Sequence, residues 1–262
     1  ESHGDFINTL GLEKNLVIPQ VYKKLFSKMA SFTISNSDIL RAVSSSTEEQ
    51  ALSFDPSKKV VRFPAWVDFE IFSNVKPLRN NEKNFKILFI GSVTDRKKPH
   101  LIVEAMNNFN SKDIKLYIVG PTPNENYLSQ LKKLVQEYDL VDQVSFTGSI
   151  DRKSVMDHYA DTNLMILPSV SEGLARVIFE SQVTACPVLV TDAPGMGDIV
   201  IDGQTGYIFE SDNLESLTSK IQEIKNNYQD AIHVGNNAKN FILSNYSADN
   251  FKFSFKKLFD AV

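Results

Sequence analysis

Leu164-Met-Ile-Leu-Pro-Ser-Val-Ser-Glu-Gly-Leu-Ala-Arg-Val-Ile-Phe-Glu-Ser-Gln-Val-Thr-Ala-Cys-Pro-Val-Leu-Val-Thr191 is the stretch that decides the fold. Leu164 to Leu167 is a short, wholly apolar run of the kind a buried strand needs, and Pro168 to Ser171 is a small-residue loop that ends it. Gly173 to Ala185 has helical periodicity: Leu174, Val177, Ile178 and Ala185 fall on one side of the wheel and Phe179 and Val183 nearly opposite, so the helix is expected to be buried on two sides. Val188 to Val190 is a second β-rich run. Strand, loop, helix and strand in this order make a βαβ unit, whose two strands lie parallel.

The same alternation holds upstream. Lys86 to Ile90, Lys115 to Val119, Val144 to Phe146 and, downstream, Tyr207 to Phe209 read as strands; Lys98 to Phe109, Glu125 to Tyr138 and Arg152 to Ala160 read as helices between them. The expectation is an α/β domain with a parallel sheet covered on both faces, whose ligand crevice lies beyond the carboxyl ends of the strands. Five strand ends carry Gly, Pro or Ser turns: Gly91-Ser92, Gly120-Pro121, Gly148-Ser149, Pro168-Ser169 and Thr191 to Gly195.

The first eighty residues differ. A basic helical stretch, Pro19 to Ser31, is followed by an expected short strand at Phe32 to Ile34, a helix starting near Asn36, a strand at Lys59 to Phe63, and a loop through Pro64 to Asp68. Two or three strands make only the second half of a doubly wound domain. The sequence therefore divides into a partial domain (1–75), a linker (76–85), a complete Rossmann-like domain (86–244) and a C-terminal helix (245–262) whose Phe251, Phe255 and Leu258 are expected to pack on the first domain.

Composition bounds the function. The chain has 262 residues, 42% of them hydrophobic, and a formal net charge of −4 with both signs mixed, so no basic stripe points to nucleic acid as a partner. Cys186 is the only cysteine and cannot form an internal disulfide, which fits a cytoplasmic location. No apolar run reaches the roughly 18 residues of a spanning helix. The basic, apolar stretch Val21 to Met29 reads either as a solvated helix face or as a peripheral contact with anionic lipid at the inner face of a membrane. The opening Glu1-Ser2-His3-Gly4 lacks the regions of a signal peptide and reads as a cut within a longer protein. Walker A, G-x-G-x-x-G, C-x-x-C, H-E-x-x-H and G-x-S-x-G patterns are missing, as is any His/Cys spacing suited to a metal.

The loop Ser169 to Leu174 carries the chemistry. A loop feeding a helix whose first turn contains Gly173 offers free N–H groups and the positive end of the helix dipole, an anion site suited to a diphosphate. Glu172 at its mouth suits the hydroxyls of an attached sugar, and Glu180, eight residues on, suits a ribose. The spacing alone is equally that of an i,i+4 ion pair between Arg176 and Glu180, with Glu172 favoured simply by the helix N-terminus.

Pro168-Ser-Val-Ser-Glu172-Gly-Leu, Glu180 and Ala185-Cys-Pro-Val-Leu-Val-Thr-Asp192 together resemble the E-x7-E signature of the retaining, GT-B-fold glycosyltransferases of group 1, and further motifs follow in that family's order from about His3 to the last helix. The resemblance implies transfer of a sugar from a nucleoside diphosphate sugar to the hydroxyl of a glycan or lipid-linked acceptor, without a metal or other cofactor. Carried over by position, Glu172 with the Gly173, Leu174 and Ala175 backbone holds the sugar and distal phosphate, and Glu180 holds the ribose. Lys97 in Gly91-Ser92-Val93-Thr94-Asp95-Arg96-Lys97 falls at the family's phosphate lysine, while the usual arginine after the glycine is Ser92 here, leaving Arg96 or Lys98 to reach in. Pro121 and the segment Phe146 to Ile150 resemble the loops that hold the base. His3 resembles the histidine that points at the sugar, so Lys97, Glu172 and His3 form the expected catalytic set. Gly195 and Asp198 match a further loop in which Pro194 departs from a Gly-Gly pair, and Trp66-Val67-Asp68 stands where the family has Gly-Val-Asp.

Overall fold

The computed structural model describes residues 20–79, 84–109 and 111–260. Its first lobe consists of helix α1 (Gln20–Ser35), strand β1 (Leu40–Ala42), helix α2 (Ser45–Phe54), strand β2 (Val60–Arg62) and a single helical turn α3 (Glu70–Ser73). β1 and β2 pair in parallel, Leu40 opposite Val60.

Two expectations for this lobe are corrected. Phe32 to Ile34 is the last full turn of α1, not a strand. Its aromatic and β-branched residues favour a strand locally, but the helix runs on until the Asn36 amide bonds the Phe32 carbonyl and the Ser37 hydroxyl bonds that of Ile34, which closes the terminus. No helix starts near Asn36; the next begins at Ser45, where Ser44 and Thr47 form a reciprocal capping box. Tyr22, Leu25, Met29 and Phe32 lie exposed along α1, within and just beyond the basic stretch noted in the sequence. Among the described residues no helix is long and apolar enough to cross a membrane.

The second lobe is a six-stranded, all-parallel sheet of β3 (Phe85–Ile90), β4 (Ile114–Val119), β5 (Val144–Gly148), β6 (Leu164–Leu167), β7 (Val188–Thr191) and β8 (Tyr207–Phe209) in the order β5-β4-β3-β6-β7-β8. The helices are α4 (Pro99–Asn107), α5 (Glu125–Glu137), α6 (Arg152–Asp161), α7 (Arg176–Val183), α8 (Leu214–Asn226) and α9 (Tyr228–Asn245). Every residue of β6 and β7 is buried, as two-sided cover requires. Side chains of Asn124, Asp151 and Asn213 accept from the third N–H onward and start α5, α6 and α8. Both predicted faces of α7 are inside: Ile178, Phe179 and Val183 are each at most 1% exposed.

The last helix, α10 (Ala248–Phe259), lies against the first lobe, with the Phe251 and Phe255 rings edge-on to Phe63 at 5.8 and 5.9 Å. Polar ties join the lobes as well. Lys239 Nζ donates to the Ser73 carbonyl (2.9 Å), and the Asp198 carboxylate accepts the Ser45 N–H at the start of α2 (2.5 Å).

Candidate functional site

The strand order fixes where a site can form. From β3 the chain moves outward to β4 and β5, then returns to the other side of β3 as β6, so the order reverses between β3 and β6. At such a switch point the loops leaving the carboxyl ends diverge and open a crevice. The two loops here are 91–98 and 168–175, the segments singled out in the sequence.

They are stitched across that crevice. Val170 N–H donates to the Arg96 carbonyl (3.2 Å), and Arg96 Nη1 donates to the Ser171 carbonyl (2.6 Å). At the centre, Glu172 Oε1 accepts from Lys97 Nζ (2.7 Å) and from Ser169 Oγ (2.8 Å), with Arg96 Nη1 at 3.2 Å. Glu172 is 7% exposed, and the Lys97 and Arg96 side chains are 13% and 15% exposed. Burial by itself would raise the Glu172 carboxyl, but the Lys97 and Arg96 cations and the two hydrogen bonds outweigh it and hold it below the ordinary glutamate value. Lys98 turns away: it adopts a left-handed backbone conformation (φ 46°) and pairs with Asp212. Of the two cations proposed to replace the arginine missing at Ser92, it is Arg96 that reaches the cluster.

One expectation about this loop is corrected. α7 begins at Arg176, so Gly173 precedes the helix rather than lying in its first turn. The reason is local: Glu172 N–H bonds the Pro194 carbonyl (3.4 Å) and Arg176 N–H the Leu174 carbonyl (3.0 Å), a turn that delays the helix. Among the described residues, no acceptor meets the N–H groups of Gly173, Leu174 and Ala175, which leaves backbone donors at the head of α7. Gly195 closes this loop from the far side. It has φ +91°, and a Cβ there would sit 2.0 Å from the Glu172 carbonyl oxygen.

The loops after β3, β4 and β5 lie side by side. Gly91 N–H bonds the Val119 carbonyl and Gly120 N–H that of Gly148, both at 2.9 Å, while Val93 N–H bonds Pro121 (2.8 Å). A Cβ on Gly120 would lie 2.1 Å from the Gly91 carbonyl oxygen, so the contact demands glycine. These bonds set Gly91, Gly120 and Gly148 along one row of strand ends, with Ser92, Pro121 and Ile150 in the loops that follow, the Lys97 side chain against Gly91, and Phe146 within β5, where the Lys132 ammonium stands 6.0 Å from its ring. Glu180 lies apart from the ion cluster: its Oε2 accepts from the Tyr159 hydroxyl (3.2 Å) on α6, and among the described residues it forms no salt bridge with Arg176, whose charge acts on it only from further away. Burial raises its carboxyl above the ordinary value. His3 falls outside the described residues.

Sequence reasoning missed two participants. Ser169 is the hydroxyl on Glu172, and its position in the small-residue loop was the available signal. Tyr159, on a helix read only as a spacer, gave none. Asp198, matched by position to a further loop of the family, binds the N-terminus of α2, a contact between lobes. A cavity of about 220 Å³ lies beside it, lined among others by Ser44, Arg62, Leu174, Gly195 and Asp198.

Comparison with known proteins bears on this arrangement. The chain is 25% identical over 175 residues to the capsular polysaccharide biosynthesis glycosyltransferase CapM of Staphylococcus aureus, covering 63% of this chain and 43% of that protein. It is 22% identical over 228 residues to the GDP-mannose-dependent alpha-(1-6)-phosphatidylinositol monomannoside mannosyltransferase of Mycolicibacterium smegmatis, covering 80% and 59%. The chain thus spans about half the length of the curated relatives it matches. The crystal structure of HepE from Anabaena, solved with UDP and glucose, superposes with a TM-score of 0.79 at 15% identity over 96% of this chain and 70% of that one, a likeness of fold that fits the GT-B type. The family profile for glycosyl transferases group 1 matches residues 70–241, more than half of the sequence and the whole of the β3-to-β8 sheet, and the chain therefore belongs to that family.

Proposed function

We propose that this chain binds a nucleoside diphosphate sugar and serves its transfer to a glycan or glycolipid hydroxyl, with retention at the anomeric carbon and without a metal. The observation that carries the reading is the buried Lys97–Glu172–Arg96 cluster at the β3/β6 switch point, beside the backbone donors of Gly173 to Ala175. A diphosphate there would draw the two cations from Glu172 and take the backbone donors, freeing the carboxylate for the sugar hydroxyls. In the reaction the bond from the anomeric carbon to the phosphate oxygen breaks and a bond to the acceptor oxygen forms on the same face. The departing diphosphate takes the acceptor proton, and Lys97 and Arg96 stabilise the charge that builds on it. Pro121, Phe146 and Ile150 would flank the base, Glu180 the ribose, and His3 the sugar. If the acceptor is lipid-linked, the exposed face of α1 is compatible with peripheral contact with anionic lipid, which liposome sedimentation at low and high salt would detect.

A second reading follows from the chain spanning about half of its relatives: it binds the donor without turning it over. Calorimetry with UDP and GDP, alongside turnover of a panel of nucleotide sugars, separates the two. Lys97→Met should weaken nucleoside diphosphate binding at least tenfold and, where there is turnover, lower kcat by about 10²-fold or more. Parent-like binding by this variant would overturn both readings.

A further inference from the structure

We infer that Tyr159 is a positioning residue for Glu180, holding one carboxylate oxygen so that the other is presented to the ribose of the nucleotide; this rests on the proposed function. Tyr159 is fully buried, wedged edge-on against Phe72 (5.8 Å). Its hydroxyl lies 3.2 Å from Glu180 Oε2 and 3.3 Å from the Val177 carbonyl, one turn back on α7. Glu180 Oε1 has no partner among the described residues, and the residue is only partly buried. A half-buried carboxylate with one oxygen pinned and one open is suited to receive hydroxyl donors, because the pinned oxygen fixes the plane and rotamer of the group before a ligand arrives. A fully buried tyrosine needs an acceptor for its hydroxyl, and the Val177 carbonyl would serve. Meeting Glu180 as well ties α6 to the one acidic side chain of α7.

The hydroxyl also acts on the charge. Burial raises the Glu180 carboxyl, whereas donation from Tyr159 favours the ionised form that accepts from ribose. Arg176 and Arg152 push in the same direction from further away. Acidic neighbours that would oppose them are not among the groups acting on Glu180.

The test is Tyr159→Phe, which removes one oxygen and keeps the ring that packs on Phe72. Affinity is measured by calorimetry for a nucleoside diphosphate and for its 2′,3′-dideoxy analogue, and the ratio is taken for parent and variant. The parent should prefer the ribose form, and the variant should lose about five- to tenfold of that preference while binding the dideoxy analogue as the parent does. The preference should also fade at a higher pH in the variant, since Glu180 protonates more readily once the hydroxyl is gone. Glu180→Gln should lose the preference at every pH. Because the ratio is read on folded protein, a lower melting temperature leaves it unchanged. A variant that keeps the full ribose preference, or loses affinity for both analogues equally, overturns the role of Tyr159 while leaving the proposed function standing. A parent that binds the diphosphate without any ribose preference overturns the placement of Glu180 itself.

Discussion

Glu172→Gln is the change that tests the ion cluster most directly, because it should move three observables in different directions. Glu172 Oε1 takes hydrogen bonds from Lys97 and Ser169 with Arg96 at 3.2 Å, and all the charged side chains are at most 15% exposed. Breaking a buried pair by removing one partner costs about 3–5 kcal/mol. The amide retains an acceptor for Lys97, and the loops open towards solvent, so a loss of about 2–3 kcal/mol in folding stability is expected. Binding of the bare diphosphate should move the other way. Under the proposed function, phosphate oxygens would compete with a carboxylate for Lys97 and Arg96 in the parent; a charged hydrogen bond contributes about 1.5–3 kcal/mol, and removing even part of that competition should tighten UDP or GDP binding roughly tenfold. Turnover should fall, since the amide holds the sugar hydroxyls less well. Thermal melting and calorimetry at low and at high salt read the first two. A variant that melts like the parent, or binds the bare diphosphate more weakly, refutes the idea that Glu172 restrains the phosphate cations.

The acid side of the stability curve follows from the same group. Glu172 is held below its unfolded value, so its contribution is complete above about pH 4.5 and is lost as the pH falls through the folded value; the parent should lose melting temperature below that point more steeply than Glu172→Gln. Gly195→Ala forces a side chain to within 2.0 Å of the Glu172 carbonyl at φ +91°, which should cost about 3 kcal/mol and abolish measurable diphosphate binding, both visible in one titration followed by melting. Phe251→Ala removes an edge contact to Phe63 from a partly buried ring and should cost about 2 kcal/mol of melting stability with diphosphate affinity unchanged, since α10 packs on Phe63 and Trp66 of the first lobe.

Most of the second lobe was legible because its central strands, β3, β4, β6 and β7, are largely buried on both faces. Leu164–Leu167 and Tyr207–Phe209 match the expected bounds, and the others differ by one or two residues at their ends. The first lobe was read less well. Phe32-Thr33-Ile34 has strand chemistry within a helical frame, and only the caps at Asn36 and Ser37, which depend on the helix being there, reveal where α1 stops. At the site, the pairing of Lys97 with Glu172 joins residues 75 apart and came from the strand order, not from either loop. The bond between Tyr159 and Glu180 was invisible for a different reason: a tyrosine on the buried side of a helix reads as core, and nothing in its spacing tells which carboxylate its hydroxyl meets.

Ser92 is the place where sequence and structure together say more than either alone. A serine after Gly91 takes from the loop the guanidinium that the resemblance leads one to expect, and by sequence alone the neighbouring Arg96 and Lys98 are equivalent substitutes. The backbone distinguishes them. The 3-10 turn Asp95–Lys97 presents Arg96 and Lys97 in succession to the β6 loop, and Arg96 is anchored there at both its ends, its carbonyl by Val170 and its guanidinium by Ser171. Lys98 follows in a left-handed conformation that reverses the chain into α4 and carries its ammonium to Asp212. A guanidinium pinned by a backbone carbonyl loses little freedom when it meets a phosphate, and it keeps donors to spare after that bond is made. Under the proposed function, Arg96 at the opposite end of the same loop would supply the positive charge missing at Ser92, from a position that the Val170 and Ser171 contacts already hold in place.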